Sequence, residues 1–168
     1  MEIRDARPDE FDEVGDVRLA AYVADGYLSP QSTYAPMLRA LGADGRSLVL
    51  VAVRDGRILG TVMLQGGPAP AETVAGPGEA EIRALAVVPE VRGSGLGRAL
   101  LTSVIDRAAA DGVRRLVLLT QPDMKAAHHQ RMAFFAAAFR LLFADLLKKQ
   151  VCLPMPLAGR RVVEPWLE

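Results

Sequence analysis

The spacing of hydrophobic positions changes several times along the chain, and each change marks an element. Residues 3–7 read as a short strand. Pro8 then opens a helix, with Asp9 and Glu10 in its first turn, where negative charge suits the helix dipole. Phe11, Val14, Leu19 and Tyr22 recur at a spacing that places them on roughly one helical face, and residues 27–30 break the helix. A second helix is predicted over 36–41, ending at Gly42. Residues 48–53 and 57–64 form two strands joined by the tight-turn pair Asp55-Gly56, a hairpin signature. The Gly/Pro/Ala-rich stretch 66–78 reads as a loop inside a domain, because another strand follows it.

That strand covers 80–88 and stops at Pro89. The turn Arg92-Gly93-Ser94-Gly95-Leu96-Gly97 leads into a helix over about 96–110, with Leu100, Leu101, Val104, Ile105 and Ala108 as its buried stripe. Asp111-Gly112 ends the helix, and the nearly all-apolar run 116–120 suits a strand in a parallel pair. The unit is strand, glycine-rich turn, helix, strand, whose crossover is expected to be right-handed. Pro122 starts a last helix that runs to about residue 149, and residues 151–155 and 161–164 can supply short edge strands.

A strand feeding Gly-x-Gly and then a helix makes an anion site. Glycines allow close backbone approach, and the unpaired N–H groups of the helix start point at the ligand. Arg92 and Arg98 add positive charge on either side. The same pattern also serves as a plain tight turn with no ligand. Two nucleotide folds are excluded. A Walker-type loop needs Gly-Lys-Ser/Thr, and Arg98-Ala99 follows Gly97 here. A dinucleotide fold needs a small residue where Leu100 stands and an acid where Arg115 stands.

Composition narrows the class. The chain has 168 residues, enough to bury one domain's core, and 51% of them are hydrophobic. Its formal net charge of +0 gives no basic face for nucleic acid. The single cysteine, Cys152, excludes an intramolecular disulfide framework and suits a reducing, cytoplasmic compartment. The charged start Met1-Glu2-Ile3-Arg4-Asp5 has no signal-peptide core, and no apolar stretch is long enough for a membrane span. The charge is unevenly placed. Residues 1–124 carry 13 Arg, no Lys and 17 acids, whereas residues 125–168 carry all three Lys and only 3 acids. Four of the five Phe lie between 134 and 143, and no Tyr follows Tyr34.

The motif Arg92-Gly93-Ser94-Gly95-Leu96-Gly97 resembles the Arg/Gln-x-x-Gly-x-Gly/Ala signature of the GCN5-related N-acetyltransferase (GNAT) superfamily. Its surroundings are similar too, from Ala80-Glu81-Ile82 through Leu85-Ala86-Val87 and Pro89 to Gly97-Arg98-Ala99-Leu100-Leu101. The resemblance covers roughly residues 1–128. It implies an α/β (α+β) acyl-CoA N-acyltransferase fold, a mixed central sheet flanked by helices, and a single domain over 1–168 whose part from 128 onward, with a long C-terminal helix, departs from the family pattern. It also implies acetyl-CoA as co-substrate. Backbone groups of Leu85, Ala86 and Val87 would then hold the pantetheine arm and thioester, with the Val87 N–H as oxyanion donor. The amides of Arg92, Gly93, Ser94, Gly95, Leu96, Gly97 and Arg98 would hold the pyrophosphate.

Acyl transfer to a primary amine needs a base, an oxyanion donor and an acid for the leaving thiolate. Glu81 stands where many family members carry the base; the plain alternative is an exposed strand-end carboxylate. Glu79, two residues earlier on the same strand face, is the substitute candidate. Tyr22, Tyr27 and Tyr34 either line the acceptor pocket, together with the 66–78 loop, or serve as core and rim aromatics. The family's acidic Tyr falls on Arg131, or on Phe134 if three residues are inserted, and neither can donate a proton. His128 and His129 read as structural or surface residues, with proton transfer as the alternative, and do not suggest a metal site. Cys152 reads as a small packed residue.

The run 132–147 is apolar except for Arg140 and Asp145. It reads as a homodimer interface, as a basic apolar tail on a membrane surface or partner, or as the product of a frame change near His129. The expected activity is direct acetyl transfer from acetyl-CoA to a small-molecule or peptide amine in a ternary complex. The rivals are a catalytically silent acyl-CoA-binding or regulatory module, and an interaction protein that has lost the cofactor.

Overall fold

The computed structural model describes residues 1–66, 73 and 75–118. The helix expected from Pro122, the strands expected at 151–155 and 161–164, and His128, His129, Arg131, Phe134 and Cys152 lie outside these residues, as does most of the 66–78 loop.

The chain order is β1 (Glu2–Asp5), a 3-10 turn (Pro8–Glu10), α1 (Phe11–Ala24), α2 (Ala35–Ala40), β2 (Leu48–Arg54), β3 (Arg57–Gly66), β4 (Glu79–Val87), a second 3-10 turn (Pro89–Val91), α3 (Leu96–Ala110) and β5 (Arg115–Leu118). The strands form one sheet in the order β1-β2-β3-β4-β5. The first three pairings are antiparallel, and β4 and β5 run parallel, with α3 as the crossover between them. The sheet is therefore mixed, as expected.

The two helical layers follow from strand alternation. A Cβ at Gly60 would touch Leu100 of α3, whereas Met63, an odd number of residues on, lies with Phe11 and Val49 around Gly42. α3 thus covers one face of the sheet, and α1 with α2 the other. Val49, Val51, Val62, Leu100 and Val104 are buried in the core between these layers.

Two local expectations change. Residues 8–10 form a 3-10 turn and not the first helical turn. Glu10 accepts hydrogen bonds from both Arg4 Nη atoms, at 2.8 and 2.6 Å, and from the Arg7 amide at 2.8 Å, which fixes this entry before α1 begins. The buried stripe of α1 is also rotated from the expected face. Val14, Val17, Arg18 and Ala21 are buried, at i, i+3, i+4 and i+7, while Phe11, Leu19 and Tyr22 are half-buried. A charged residue inside the stripe hid it from a reading based on hydrophobicity. The α3 stripe is as expected.

Candidate active site

The site forms where β4 changes character. Its first half pairs with both neighbours: Met63, Leu64 and Gln65 oppose Arg83, Ile82 and Glu81, while Glu79 to Ile82 run beside Arg115 to Leu118. Beyond Arg83 the register with β3 slips. Thr61 opposes Ala86, so Ala84 and Leu85 together face Val62. Ala84 sits at φ +49°, a left-handed conformation that costs an L-residue roughly 1–2 kcal/mol. This is a β-bulge, a device that unpairs one residue and re-aims the strand, often next to active sites. Further on, the Val88 amide donates to Leu59 O at 2.9 Å. Donor direction alternates along an extended strand, so the Val87 N–H points away from β3.

After β4 and the second 3-10 turn, Gly93 (φ +77°) and Gly95 (φ +85°) adopt left-handed conformations that favour glycine. Gly95 is the N-cap of α3. It supplies no side-chain cap, and the first turn of α3 holds no acid. A Cβ on Gly93 or Gly95 would meet no atom within 4 Å. The Leu96, Gly97 and Arg98 amides have no intrahelical acceptor. The chemistry therefore fits an anion such as a pyrophosphate. The donor set is narrower than expected, because the Arg92 amide donates to Pro89 O (3.3 Å) and the Ser94 amide to Val91 O (3.4 Å). Gly93, Gly95, Leu96, Gly97 and Arg98 remain.

Arg92 departs from its expected role as a flanking charge. Its guanidinium turns to the C-terminal end of α1, donating to Asp25 Oδ1 (2.6 Å), Ala21 O (3.2 Å) and Val87 O (3.4 Å). A cation there satisfies terminal carbonyls and complements the helix dipole. Arg92 ties α1 to the loop, and Arg98, in the first turn of α3, is exposed.

Glu81 is buried, at 2% exposure, which removes the alternative of an exposed strand-end carboxylate. Thr73 Oγ1 donates to its Oε2 at 2.7 Å, and Arg83 Nε lies 3.9 Å from its Oε1. Glu79 is also buried, but its carboxylate is engaged by Arg115 and accepts the Gly76 amide at 2.9 Å. Glu79 fastens the end of the loop to β5.

The three tyrosines gather on the α1/α2 side. Tyr22 and Tyr27 meet edge to face, with ring centroids 6.4 Å apart. Burial pushes the Tyr22 hydroxyl up to about 12, with Tyr34 adding to the rise and Arg18 and Arg83 opposing it. A cavity of about 190 Å³ is lined by Met37, Leu41, Asp44, Met63, Gln65 and Arg83 among others, and none of the three tyrosines expected to line an acceptor pocket is among its lining residues. Arg83 Nη1 donates to Gln65 Oε1 at 2.7 Å. Reading the sequence did not single out Arg83, Gln65 and Met37, which line this cavity. The alternation Glu81-Ile82-Arg83 was the available signal, since it sets two charges on one face of an otherwise apolar strand. Among the described residues no cluster of His, Cys, Asp or Glu could hold a metal ion, and no helix is long and apolar enough to cross a membrane.

A bulged strand, an uncapped glycine turn and a following helix on a mixed sheet define a GNAT-type acyltransferase fold. The chain belongs to the acetyltransferase (GNAT) family, whose model matches residues 11–134. Among curated proteins it is 34% identical over 122 residues to the L-2,4-diaminobutyric acid acetyltransferase of Nocardia farcinica, covering 73% of this chain and 57% of the relative. It is 36% identical over 90 residues to the mycothiol acetyltransferase of Cellulomonas flavigena, covering 52% and 26%. The chain thus spans little more than half of one relative and about a quarter of the other. Among solved structures, a GNAT family acetyltransferase from Brucella melitensis in complex with acetyl-CoA matches with a TM-score of 0.57 at 26% identity, over 76% of this chain and 80% of that one. A GNAT family acetyltransferase from Staphylococcus aureus Mu50 matches with a TM-score of 0.64 over 82% of each chain; at 15% identity it shows the fold alone.

Proposed function

We propose that this protein is an N-acetyltransferase that transfers the acetyl group of acetyl-CoA to a primary amine by direct attack in a ternary complex. The observation that carries the reading is the uncapped start of α3 behind two left-handed glycines, directly after a bulged strand that holds a buried glutamate. Acetyl-CoA, when bound, supplies an acetyl group activated as a thioester. The Gly93, Gly95, Leu96, Gly97 and Arg98 amides hold the pyrophosphate, and Leu85, Ala86 and Val87 offer backbone groups to the pantetheine arm. The Val87 N–H, turned away from β3, stabilises the developing oxyanion. Glu81 takes the proton of the attacking amine, with Thr73 and Arg83 holding its carboxylate in place, the carbon–sulfur bond breaks, and CoA leaves as a thiolate that takes its proton from solvent. Glu79 serves as a positioning residue, since Arg115 and Gly76 already engage it.

The curated relatives' names support a small-molecule amine acceptor, and the acetyl-CoA complex of the Brucella protein supports the co-substrate. The lone cysteine supports a cytoplasmic location, and the apolar run 132–147 supports a homodimer; a monomeric mass in sedimentation velocity would refute the dimer. Calorimetry with acetyl-CoA, CoA and 3′-dephospho-CoA tests the cofactor site. Micromolar binding is expected, and no binding at millimolar ligand overturns the reading. The rival, a silent acyl-CoA-binding module, is favoured by the count that puts Arg131, or Phe134 if three residues are inserted, where the family carries its acid. It predicts the same binding without amine-dependent thiol release. An active protein releases thiol, and Glu81→Gln lowers that rate by about 100-fold or more.

A further inference from the structure

We propose that the cavity beside Glu81 selects acceptors that carry a carboxylate a few bonds from the reacting amine, with Arg83 binding the carboxylate. The inference rests on Glu81 as the base, and it names the class of amine that the site takes.

Arg83 lines the cavity, and its side chain is only 16% exposed. One of its donors is satisfied by Gln65 Oε1. At 3.9 Å its approach to Glu81 is an ion pair beyond hydrogen-bond range. Its Nη2 has no hydrogen-bond partner among the described residues, so the guanidinium keeps donors for a planar anion. Arginine binds carboxylates through two parallel bonds when it can.

A second cation lies behind the wall. Arg18 is fully buried, and its one hydrogen bond runs from Nη1 to the carbonyl of Leu41, a lining residue, at 2.5 Å. Its Nε and Nη2 have no partner among the described residues. Two acids balance these charges in part. Asp44 lines the opening, where its carboxylate is more than half exposed and lies 3.9 Å from Arg46. Glu81 lies beside Arg83. The inner wall is therefore cationic and the strand beside it anionic, which matches a molecule with opposite charges at its two ends.

Spacing selects among such molecules. Glu81 and Arg83 are two residues apart on one strand face, and Glu81 Oε1 lies 3.9 Å from Arg83 Nε, so an amine and a carboxylate a few bonds apart on one molecule reach both groups. A short amino acid meets that spacing.

The test compares two probes that differ by one carboxylate, 2,4-diaminobutyrate and 1,3-diaminopropane. Binding of each to the full chain is measured by calorimetry without acetyl-CoA, for the parent, Arg83→Gln and Arg83→Lys. Acetyl-CoA titration of each variant reports whether the fold and the cofactor loop persist. The parent is expected to bind the carboxylated probe at least about 10-fold more tightly. Arg83→Gln should abolish that preference and leave acetyl-CoA affinity within about 2-fold, while Arg83→Lys should restore part of the preference. Equal binding of the two probes by the parent, a preference that survives Arg83→Gln, or no binding of either at millimolar concentration overturns the inference. Failure of acetyl-CoA to bind the parent would instead overturn the proposed cofactor site. With both ligands binding, the absence of amine-dependent thiol release would remove only the proposed turnover.

Discussion

Gly95→Ala separates the conformational role of the glycine turn from its role as a ligand cradle. Gly95 caps α3 at φ +85°, ψ 1°, and an added Cβ would meet no atom within 4 Å. The stability cost is therefore purely conformational. Placing an L-residue in the left-handed region costs about 1–2 kcal/mol, and restricting the unfolded chain returns roughly 0.4–1 kcal/mol. The net loss is about 1 kcal/mol, or roughly 2–4 °C in Tm for a domain of this size.

Gly112 is the control. It lies beyond the other end of the same helix, has φ +72°, and also has nothing within 4 Å of an added Cβ. Gly112→Ala should lose the same stability, and the two melting curves should nearly coincide. Acetyl-CoA affinity should differ. In Gly95→Ala the methyl occupies the space in front of the free helix start and moves its amides from the anion. Losing one hydrogen bond to a charged group costs about 1.5–3 kcal/mol, which is roughly 10- to 100-fold in Kd. Gly112→Ala should bind as the parent does. Equal affinity in both variants, with equal loss of stability, would show that the turn is conformational only.

The remaining predictions concern charges inside or beside the core. Glu79→Gln leaves Arg115 without its charged partner; the arginine side chain is 31% exposed, so the expected loss is about 1–2 kcal/mol by urea unfolding, and a loss below about 0.5 kcal/mol would refute the positioning role. The Arg4 guanidinium, followed by the Arg7 amide, holds the Glu10 carboxyl down at about 2, against an ordinary value of 4.5. The folded value is the lower one, so the stabilisation is complete above about 4.5 and is lost as pH falls toward 2. Solvent around this pair reduces it to about 1 kcal/mol. Urea unfolding free energies at pH 6 and pH 3 should therefore converge by roughly half that amount or a little more in Glu10→Gln relative to the parent, and an unchanged pH dependence would refute the pairing. Burial pulls Arg18 down to about 10, so folding works against its charge at neutral pH. Arg18→Met removes that penalty together with the bond to Leu41 O, and its stability should stay within about 1 kcal/mol of the parent; a loss above 3 kcal/mol would mean that the guanidinium is a net structural support.

Elements whose cause is local were legible in the sequence. Asp55-Gly56 fixes the β2–β3 hairpin through its own backbone preference, and the α3 stripe is a plain 3.6-residue repeat. Gly93 and Gly95 announce the turn because few other residues adopt that backbone. Features with tertiary causes were hidden. Ala84 carries no mark of a left-handed residue; the slip between β3 and β4 puts it there, not its own propensity. Arg92 looked like a charge beside an anion, but its partner, Asp25, lies 67 positions earlier and is brought near only by the packing of α1. Glu79 and Glu81 looked interchangeable, two acids on one strand face. Arg115, opposite Glu79 in the parallel register, distinguishes them.

In the proposed reaction the bulge lets one strand serve two substrates. Before it, β4 is held in the ladder on both sides, and its side chains do the work: Glu81 and Arg83 project together toward the α1/α2 face. At Ala84 the register slips, and beyond it the backbone is what the strand offers, with the Val87 N–H turned from β3. A regular strand would keep the same alternation throughout, and its amides would stay committed to the sheet. Under the proposed function, the residue inserted at Ala84 leaves side chains for the acceptor on one half and amides for the co-substrate on the other. The strain at Ala84, roughly 1–2 kcal/mol, is small beside the burial of β4, where Ala80, Ile82 and Ala86 are buried in the core. That imbalance lets the fold hold a conformation that the residue alone would avoid.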